Sequence, residues 1–345
     1  MLDRRGSPDD DPIQAESVEL KDSKNPLVSS CWQPFNRPPT PDLIINCMSK
    51  KSKAARTRVI AEIGCNHMGD MEIAKELITV AAHVCKADVA KFQKRNPRQL
   101  LSEAQYSTPH PAPHNSYGTT YGEHREFLEF NLEQHRELKD WCEEQGIMYA
   151  SSVWDMDSAK EICSLNPALI KIPSATNLNF ELQEFLCQNY SGKIHVSTGM
   201  TSRAEIDQVI ETYEKFGRAK DLVVYACTSG YPVAFEELCL REITTLIEKY
   251  GDRVDQIGFS GHHLGIAADI AAMTLGAEWI ERHFTLDRTW KGTDHSASLE
   301  PDGLRRLCRD IRHIEVALTH KETDILAVEQ VQRRKLKPSA EDLPL

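Results

Sequence analysis

The chain has 345 residues, of which 40% are hydrophobic and 27% charged, the composition of a globular protein with a sizeable core. Its formal net charge of −11 argues against nucleic acid or an anionic membrane as the main partner. No apolar run approaches the roughly 18 residues of a membrane span, and the N-terminus lacks the apolar core of a signal peptide. The ten cysteines contain no CxxC pair and are typical of reduced thiols. We therefore expect a cytoplasmic protein.

Residues 1–57 differ in composition from the rest of the chain. They are rich in proline, serine and acidic residues, and their few apolar residues follow no helical or strand period. Such a segment cannot bury enough apolar surface to offset the entropy lost on ordering. We predict a disordered N-terminal extension here.

From residue 58 onwards, short apolar runs rich in β-branched residues alternate with amphipathic helical stretches. The predicted strands are 58–64, 88–93, 148–153, 169–173, 193–198, 222–228, 256–260 and 277–284. The predicted helices are 70–86, 132–145, 155–165, 179–188, 202–216, 235–249, 265–275 and 301–319. The apolar runs do not alternate with polar residues, as is typical of parallel strands buried on both faces.

Eight such strand–helix units between residues 58 and 320 predict an α/β fold, a (β/α)₈ barrel. A doubly wound open sheet is the alternative, but no GxGxxG follows the first strand to support it. The segment 94–131 is too long for an ordinary connection and is predicted to form a lid or an interface arm. Residues 321–345 are predicted to be a C-terminal tail.

Polar residues recur where the predicted strands end, which in such a barrel is the end that carries the chemistry. Glu62 lies in the otherwise apolar first strand. By the two-residue period, Lys91 and Gln93 share one face of the second strand, and Glu281 and His283 share one face of the eighth. The other polar residues at these ends are Ser152, Lys171, Ser174, Ser197, Ser229, Tyr231, Ser260 and His262.

Each of these residues alone has an ordinary structural explanation. A single strand lysine usually extends to solvent, a buried histidine is usually a hydrogen-bonded core residue, and serines after strands usually cap helices. Together the explanations weaken, because burying several charges on one rim is costly unless they pair or bind a ligand. The set therefore predicts an anion site beside a metal site.

The residue types indicate the chemistry of this predicted site. Lys91 and Lys171, with the surrounding serine hydroxyls, can hold a phosphate and a carboxylate. His262 and His283 follow neighbouring strands and can share one divalent ion, with Mn²⁺, Mg²⁺ and Co²⁺ equally suitable. Glu62, Glu281 and Asp294 can bind sugar hydroxyls or move protons. We expect only one of the adjacent His262 and His263 to join the site.

At these positions the sequence resembles the sialic acid synthase family. The matching segments are AEIGCNHMGD (61–70), AKFQK (90–94), KIPSA (171–175), STGM (197–200), CTSGYP (227–232), GFSGHHLGI (258–266) and ERHFTLDRTWKGTDHSASLEP (281–301). The resemblance implies an enzyme that condenses phosphoenolpyruvate with N-acetylmannosamine or its 6-phosphate, giving a nine-carbon 2-keto acid and phosphate. It also implies a homodimer.

The resemblance assigns roles residue by residue. It implies that His262 and His283 bind the metal and that Glu62, Lys91 and Lys171 are catalytic. The residues implied to contact phosphoenolpyruvate are Lys91, Ser152, Lys171, Ser174, Ser197, Ser229 and Ser260. The residues implied to contact the sugar are Glu62, Gln93, Tyr231, Glu281 and Asp294.

Several alternatives stay open at this point. Only about 25 residues follow the last predicted barrel helix, so we expect no C-terminal antifreeze-like domain of the kind that selects the N-acyl group in many family members. A synthase of Kdn or its 9-phosphate, using mannose or mannose 6-phosphate, is therefore an alternative. A Schiff-base aldolase using Lys171 is another, and a catalytically inactive barrel that acts as a binding protein is a third.

Overall fold

The computed structural model describes residues 56–337. Eight strands form one closed parallel barrel in which each pairs with the next along the chain and the eighth pairs with the first. The (β/α)₈ prediction is therefore confirmed, and the open-sheet alternative is wrong. The strands are β1 Arg58–Gly64, β2 Val89–Lys94, β3 Met148–Val153, β4 Leu169–Ile172, β5 Lys193–Ser197, β6 Leu222–Cys227, β7 Gln256–Gly261 and β8 Trp279–His283.

The α-helices surround the barrel or lie in its connections. They are α1 Met71–Val80, α2 Pro97–Leu100, α3 Glu103–Ser107, α4 Tyr121–Phe127, α5 Leu132–Glu144, α6 Met156–Leu165, α7 Phe180–Asn189, α8 Arg203–Lys215, α9 Glu242–Tyr250, α10 Ala267–Thr274, α11 Pro301–Ala317 and α12 Ala327–Leu336. The helix predicted over 235–249 begins only at Glu242, because Cys239 has a φ of 47°, which cannot continue a helix. None of the helices within residues 56–337 has the length and apolar character that crossing a membrane requires.

Polar side chains begin most of the helices that pack around the barrel. Asp70, Asn131 and Asp155 each accept hydrogen bonds from backbone N–H groups of the first helical turn. Ser202 and Glu205 form a reciprocal capping box at the start of α8. These caps satisfy donors that the helix itself leaves unpaired, so they fix where each helix leaves its strand.

Two apolar layers support the barrel. Outward-facing strand residues pack against the surrounding helices, while inward-facing residues fill the N-terminal half of the interior. The buried members of the inner layer are Ile60, Val89, Ala150, Leu169, Val223, Tyr225 and Trp279. They form an apolar floor, so on β1 to β4 and on β8 the next inward side chain lies at the C-terminal mouth of the barrel.

The segment 94–131 lies beside this mouth. It contains α2, α3, α4 and a 3₁₀ turn, and the Tyr117 hydroxyl donates a 2.5 Å hydrogen bond to the Lys291 carbonyl in the β8–α11 connection. The Lys291 ammonium lies 4.8 Å from the Tyr117 ring centroid. The segment thus spans from β2 to the last connection of the barrel. Its role as a lid or an interface arm stays a prediction.

Most of the predicted N-terminal extension, and residues 338–345 of the predicted tail, lie outside the described residues. At the boundary, the backbone N–H of Thr57 donates to Glu315 of α11, and Arg56 lies 3.0 Å from Asp88.

A buried ion pair joins β8 to α10 on the outside of the barrel. Arg282 is 1% exposed and contacts Asp269, which is fully buried, and its Nη1 lies 3.0 Å from the Nε2 of His263. His263 therefore belongs to this outer cluster. His262 lies at the mouth.

Asp269→Asn should destabilise the protein strongly, because it leaves the Arg282 charge buried without its counter-ion. The expected loss in the free energy of unfolding is about 3–5 kcal/mol. Urea unfolding measures it, with Asp302→Asn as the matched control, since Asp302 forms exposed pairs with Arg305 and Arg306 that should contribute little. Equal stabilities of the two variants would contradict the structural role assigned to Asp269.

Candidate active site

Inward-facing polar residues form one layer directly above the apolar floor. In the strand register Glu62 lies opposite Lys91, Ser152 opposite Lys171, and Ser260 opposite Glu281. All six are less than a tenth exposed. The two-residue strand period places them there, because five of them follow an inward apolar residue of the floor and Ser260 follows Gly258, the register partner of Trp279.

Four charged groups of this layer contact one another. The Lys91 Nζ lies 2.6 Å from Glu62 Oε2 and 3.8 Å from Glu281 Oε1, and it donates a 2.8 Å hydrogen bond to Ser152 Oγ. The Lys171 Nζ lies 2.8 Å from Glu281 Oε2. Two ammonium groups and two carboxylates therefore alternate across the floor of the mouth.

The pairing sets the charge states of these groups. Burial alone would raise the pKa of Glu281, but Lys171 and Lys91 outweigh it and hold that pKa at about 2. Burial opposes the charged form of Lys91, yet Glu281 and Glu62 raise its pKa above the usual value. Burial lowers the pKa of Lys171, and Glu281 only partly compensates. Of the two lysines, Lys171 is therefore the one whose protonated form the protein stabilises less.

Lys171 also has hydrogen-bonding capacity that the protein leaves unused. Its Nζ and Glu281 Oε2 are at ion-pair distance, but neither atom makes a hydrogen bond of regular geometry. The ammonium packs over the Tyr225 ring, 3.8 Å from its centroid. Because a buried ammonium has three protons to donate, an anion placed above Lys171 can accept them.

Hydroxyl groups converge around Gly199, where the chain leaves β4, β5 and β6. Ser174 Oγ accepts a 3.0 Å hydrogen bond from the Gly199 backbone N–H. A Cβ at position 199 would lie 2.2 Å from Ser229 Oγ and 2.8 Å from Ser174 Oγ, so only glycine lets both hydroxyls approach. Ser197 ends β5 just before them and is 4% exposed.

The two predicted metal-binding histidines face each other across the β7–β8 edge. Their ring centroids are 5.5 Å apart. The His262 Nδ1 lies 3.1 Å from the Thr228 carbonyl, which leaves Nε2 for a ligand, and the His283 Nδ1 is buried without a hydrogen-bond partner. Burial and the neighbouring His283 lower the pKa of His262 to about 3, so its imidazole is neutral.

This donor set fits a divalent ion that keeps several water or substrate ligands. Neutral imidazoles ligate such ions, and a backbone carbonyl on the second ring nitrogen is the usual way to orient the ring. Within residues 56–337, no third histidine, cysteine or acid completes a cluster of metal-binding side chains. Among the described residues, His262 and His283 are thus the two side chains that could hold such an ion.

The residues predicted to contact the sugar surround these histidines. Gln93 Nε2 donates a 2.9 Å hydrogen bond to Glu62 Oε1, and the Tyr231 ring centroid lies 4.3 Å from that of His262. Burial opposes ionisation of Asp294, but His283, Thr293, Arg95 and Arg125 outweigh it and lower its pKa. The structure thus brings the predicted site residues to one mouth, and their individual roles stay predictions.

Four neighbours of the site were not predicted. Asn66 ties the β1–α1 connection to the last one by donating 2.9 Å hydrogen bonds to the Phe284 carbonyl and Ser298 Oγ. Arg95, Trp154 and Thr176 follow β2, β3 and β4 at the mouth. Extending the inward two-residue period of β2 by one step beyond Gln93 reaches Arg95, so a sequence signal for that residue exists.

Comparison with known proteins decides the family. The model of the NeuB family matches residues 77–323, most of the barrel and of the site just described. This chain belongs to the NeuB family. The resemblance stated from the sequence is thereby confirmed. Relatives that are named synthases confirm the prediction of a carbon–carbon bond-forming enzyme.

Individual NeuB relatives cover most of the chain. It is 39% identical over 278 residues to the N-acetylneuraminate-9-phosphate synthase of Homo sapiens, covering 81% of this chain and 76% of that protein. It is 34% identical over 264 residues to the N,N'-diacetyllegionaminic acid synthase of Campylobacter jejuni, covering 76% and 78%. A crystal structure of N-acetylneuraminic acid synthetase from Leptospira borgpetersenii superposes with a TM-score of 0.68 at 27% identity, covering 82% and 93%.

Proposed function

We propose that this NeuB-family enzyme condenses phosphoenolpyruvate with N-acetylmannosamine or its 6-phosphate. The products are N-acetylneuraminate or its 9-phosphate, and inorganic phosphate. The observation that carries the proposal is the buried Glu62–Lys91–Glu281–Lys171 network beside two facing histidines at the barrel mouth. The names of the human and Campylobacter relatives support it.

The lysines and hydroxyls are the groups that would hold phosphoenolpyruvate. Its carboxylate and phosphate need several donors, and Lys171 has unused ones. Ser174 and Ser229 supply hydroxyls from the connections that follow β4 and β6, on the same side of the mouth as Lys171. An anion bound to Lys171 and these hydroxyls would replace part of the contact between Lys171 and Glu281 with its own contact to the ammonium. Fixing the substrate in this way contributes to the rate through positioning and electrostatics.

His262 and His283 would hold a divalent ion, Mn²⁺, Mg²⁺ or Co²⁺. Such an ion, when bound, supplies Lewis-acid polarisation of the sugar aldehyde. The chain itself orients the sugar through Gln93, Tyr231 and Asp294. Carbon 3 of phosphoenolpyruvate then attacks the aldehyde carbon, which leaves cationic character at carbon 2.

Glu62 would accept the proton of the water that adds at carbon 2. Lys91 and Gln93 fix its carboxylate from two sides, at 2.6 and 2.9 Å. The resulting tetrahedral carbon carries a hydroxyl and a phosphate ester. The aldehyde oxygen becomes a hydroxyl by gaining one proton, which balances the proton that Glu62 takes from the water. Cleavage of the bond between carbon 2 and the bridging oxygen then expels phosphate, the proton of the carbon-2 hydroxyl passes to the leaving phosphate, and the 2-keto acid remains.

Glu62→Gln should lower kcat by roughly 10²–10⁴-fold, because the amide keeps the shape of the side chain but cannot accept the proton. A coupled assay of phosphate release measures the effect. Glu133→Gln, at an exposed position of α5, is the control with the same chemical change. A kcat for Glu62→Gln equal to that of the control would exclude Glu62 as the base.

Phosphate release with four sugars tests the proposed function. They are N-acetylmannosamine, mannose and the 6-phosphate of each. We expect release that requires both phosphoenolpyruvate and an N-acetylated sugar. Faster release with mannose or mannose 6-phosphate would instead identify a synthase of Kdn or its 9-phosphate. Release with none of the four would reject the synthase.

One observation favours a second candidate, a Schiff-base aldolase. Burial lowers the pKa of Lys171, which is the direction a Schiff-base lysine needs. Borohydride reduction in the presence of pyruvate, followed by mass spectrometry, separates the two functions. The synthase leaves Lys171 unmodified, whereas the aldolase leaves a covalent adduct on it.

A further inference from the structure

A cavity of about 200 Å³ opens beside the active-site layer, and none of the roles above uses it. Its lining residues are Arg95, Pro97, Leu100, Leu101, Arg125, Trp154, Ala175 and Thr176. Arg95 and Trp154 lie two residues beyond the register partners Gln93 and Ser152. The cavity therefore lies beyond the C-terminal ends of β2 and β3 and extends the active site on that side.

The cavity is lined by two guanidinium groups and by no carboxylate. Glu129 pairs with Arg95, which is 5% exposed and also donates from Nη2 to Cys65 Sγ at 2.7 Å. Arg125 has no carboxylate at ion-pair distance within residues 56–337. Its guanidinium group donates hydrogen bonds to the Tyr121 hydroxyl. One positive charge at the cavity wall thus lacks a direct counter-ion.

Two residues that line the cavity also carry donors without partners. Trp154 Nε1 and Thr176 Oγ1 are both buried without a hydrogen bond. The guanidinium carbons of Arg95 and Arg125 lie 5.6 and 5.9 Å from the centroid of the Trp154 ring. An indole N–H can only donate, and guanidinium groups are suited to bind the oxygens of a phosphate. The chemistry of the cavity therefore fits a phosphate monoester.

The neighbouring residues indicate which substrate carries this phosphate. Arg95 lies two residues beyond Gln93, on the side of the mouth predicted to hold the sugar. Asp294, which is also predicted to contact the sugar, is close enough to Arg95, Arg125 and His283 for their charges to lower its pKa. Lys171, Ser174 and Ser229, predicted to hold phosphoenolpyruvate, lie on β4 to β6 and their connections. A group attached to the far end of the sugar would reach the cavity.

We propose that the cavity formed by Arg95, Arg125, Trp154 and Thr176 binds the phosphate of a hexosamine 6-phosphate and makes that phosphorylated sugar the preferred second substrate. This inference rests on the proposed function and specifies its substrate. Arg125 is the specificity-determining residue, because its charge has no carboxylate in direct contact.

Steady-state kinetics with N-acetylmannosamine and its 6-phosphate, at saturating phosphoenolpyruvate, tests this inference. The wild type should prefer the 6-phosphate in kcat/KM by about 100-fold or more. Arg125→Gln should reduce this preference at least about tenfold, mainly through the KM of the phosphorylated sugar. Arg306→Gln on α11, an exposed arginine paired with Asp302, should keep the wild-type preference.

Melting temperatures accompany the kinetics. If Arg125→Gln melts below the assay temperature, Arg125→Lys is tested instead, because lysine keeps the positive charge but lacks the planar guanidinium group that can donate two parallel hydrogen bonds. A rise of about threefold or more in the KM of the 6-phosphate, with that of phosphoenolpyruvate unchanged, then supports the site.

The opposite results separate this inference from the proposed function. Wild-type preference in the Arg125 variant, or a wild type that prefers the free sugar, overturns the phosphate site while the synthase stands. Equal weakening of phosphoenolpyruvate and of the 6-phosphate by Arg125→Gln also overturns it, because the cavity would then not discriminate between the two phosphates. Failure of every sugar to release phosphate rejects both.

Discussion

Chelation of divalent ions should abolish turnover, and added Mn²⁺, Co²⁺ or Mg²⁺ should restore it. The structural reason is the pair of facing imidazoles, one oriented by the Thr228 carbonyl and the other with a buried nitrogen that has no partner. Two ligands of one ion act as a unit. His262→Ala and His283→Ala should therefore each lower kcat nearly as much as the double variant.

His135→Ala is the matched control for these variants. His135 is fully buried and hydrogen-bonds the Tyr149 hydroxyl, on the outer side of the barrel wall. Its loss should lower stability but leave the response to Mn²⁺ unchanged. Full activity of the metal-stripped enzyme would contradict the shared-ion site, as would a His262 or His283 variant that responds to Mn²⁺ like the wild type.

Lys171→Met should raise the KM of phosphoenolpyruvate by about 30-fold or more, with a much smaller effect on the sugar. Methionine keeps much of the buried stem but removes the cation, so that the anion loses a charge-assisted partner and Glu281 keeps only Lys91. Titration calorimetry measures the corresponding loss of affinity for phosphoenolpyruvate without turnover.

Lys193→Met provides the control for charge removal. Lys193 begins β5 at the opposite end of the barrel and pairs with Asp255. The Lys193→Met variant should bind phosphoenolpyruvate with the affinity of the wild type. Unchanged affinity in Lys171→Met would remove Lys171 from the anion site.

The fold follows closely from the sequence because every strand is buried on both faces. Runs such as 58–64 and 148–153 are apolar enough to define their own ends, and both match β1 and β3. The residue at which α9 begins was harder to predict from the sequence. The left-handed Cys239 has no residue-type signal, since glycine or asparagine usually occupies that conformation.

The layer of inward-facing polar residues was predictable because such residues stand out in apolar strands, whereas the cavity above this layer was not. Glu62 and Lys171 interrupt runs that are otherwise largely apolar, and Glu281 follows the apolar start of β8. The cavity depends on Arg125, which reaches Trp154 only because α4 folds back against α2. Such a contact between distant positions leaves no period in the sequence.

Oxygen-18 in the bridging oxygen of phosphoenolpyruvate tests the central claim most directly. If water adds at carbon 2 and the tetrahedral carbon then expels phosphate, the released phosphate carries the label, and release requires the sugar. The accompanying product has the combined mass of the sugar and pyruvate. Unlabelled phosphate, or label retained in the keto acid, would contradict the condensation derived from Glu62, Lys91 and Lys171.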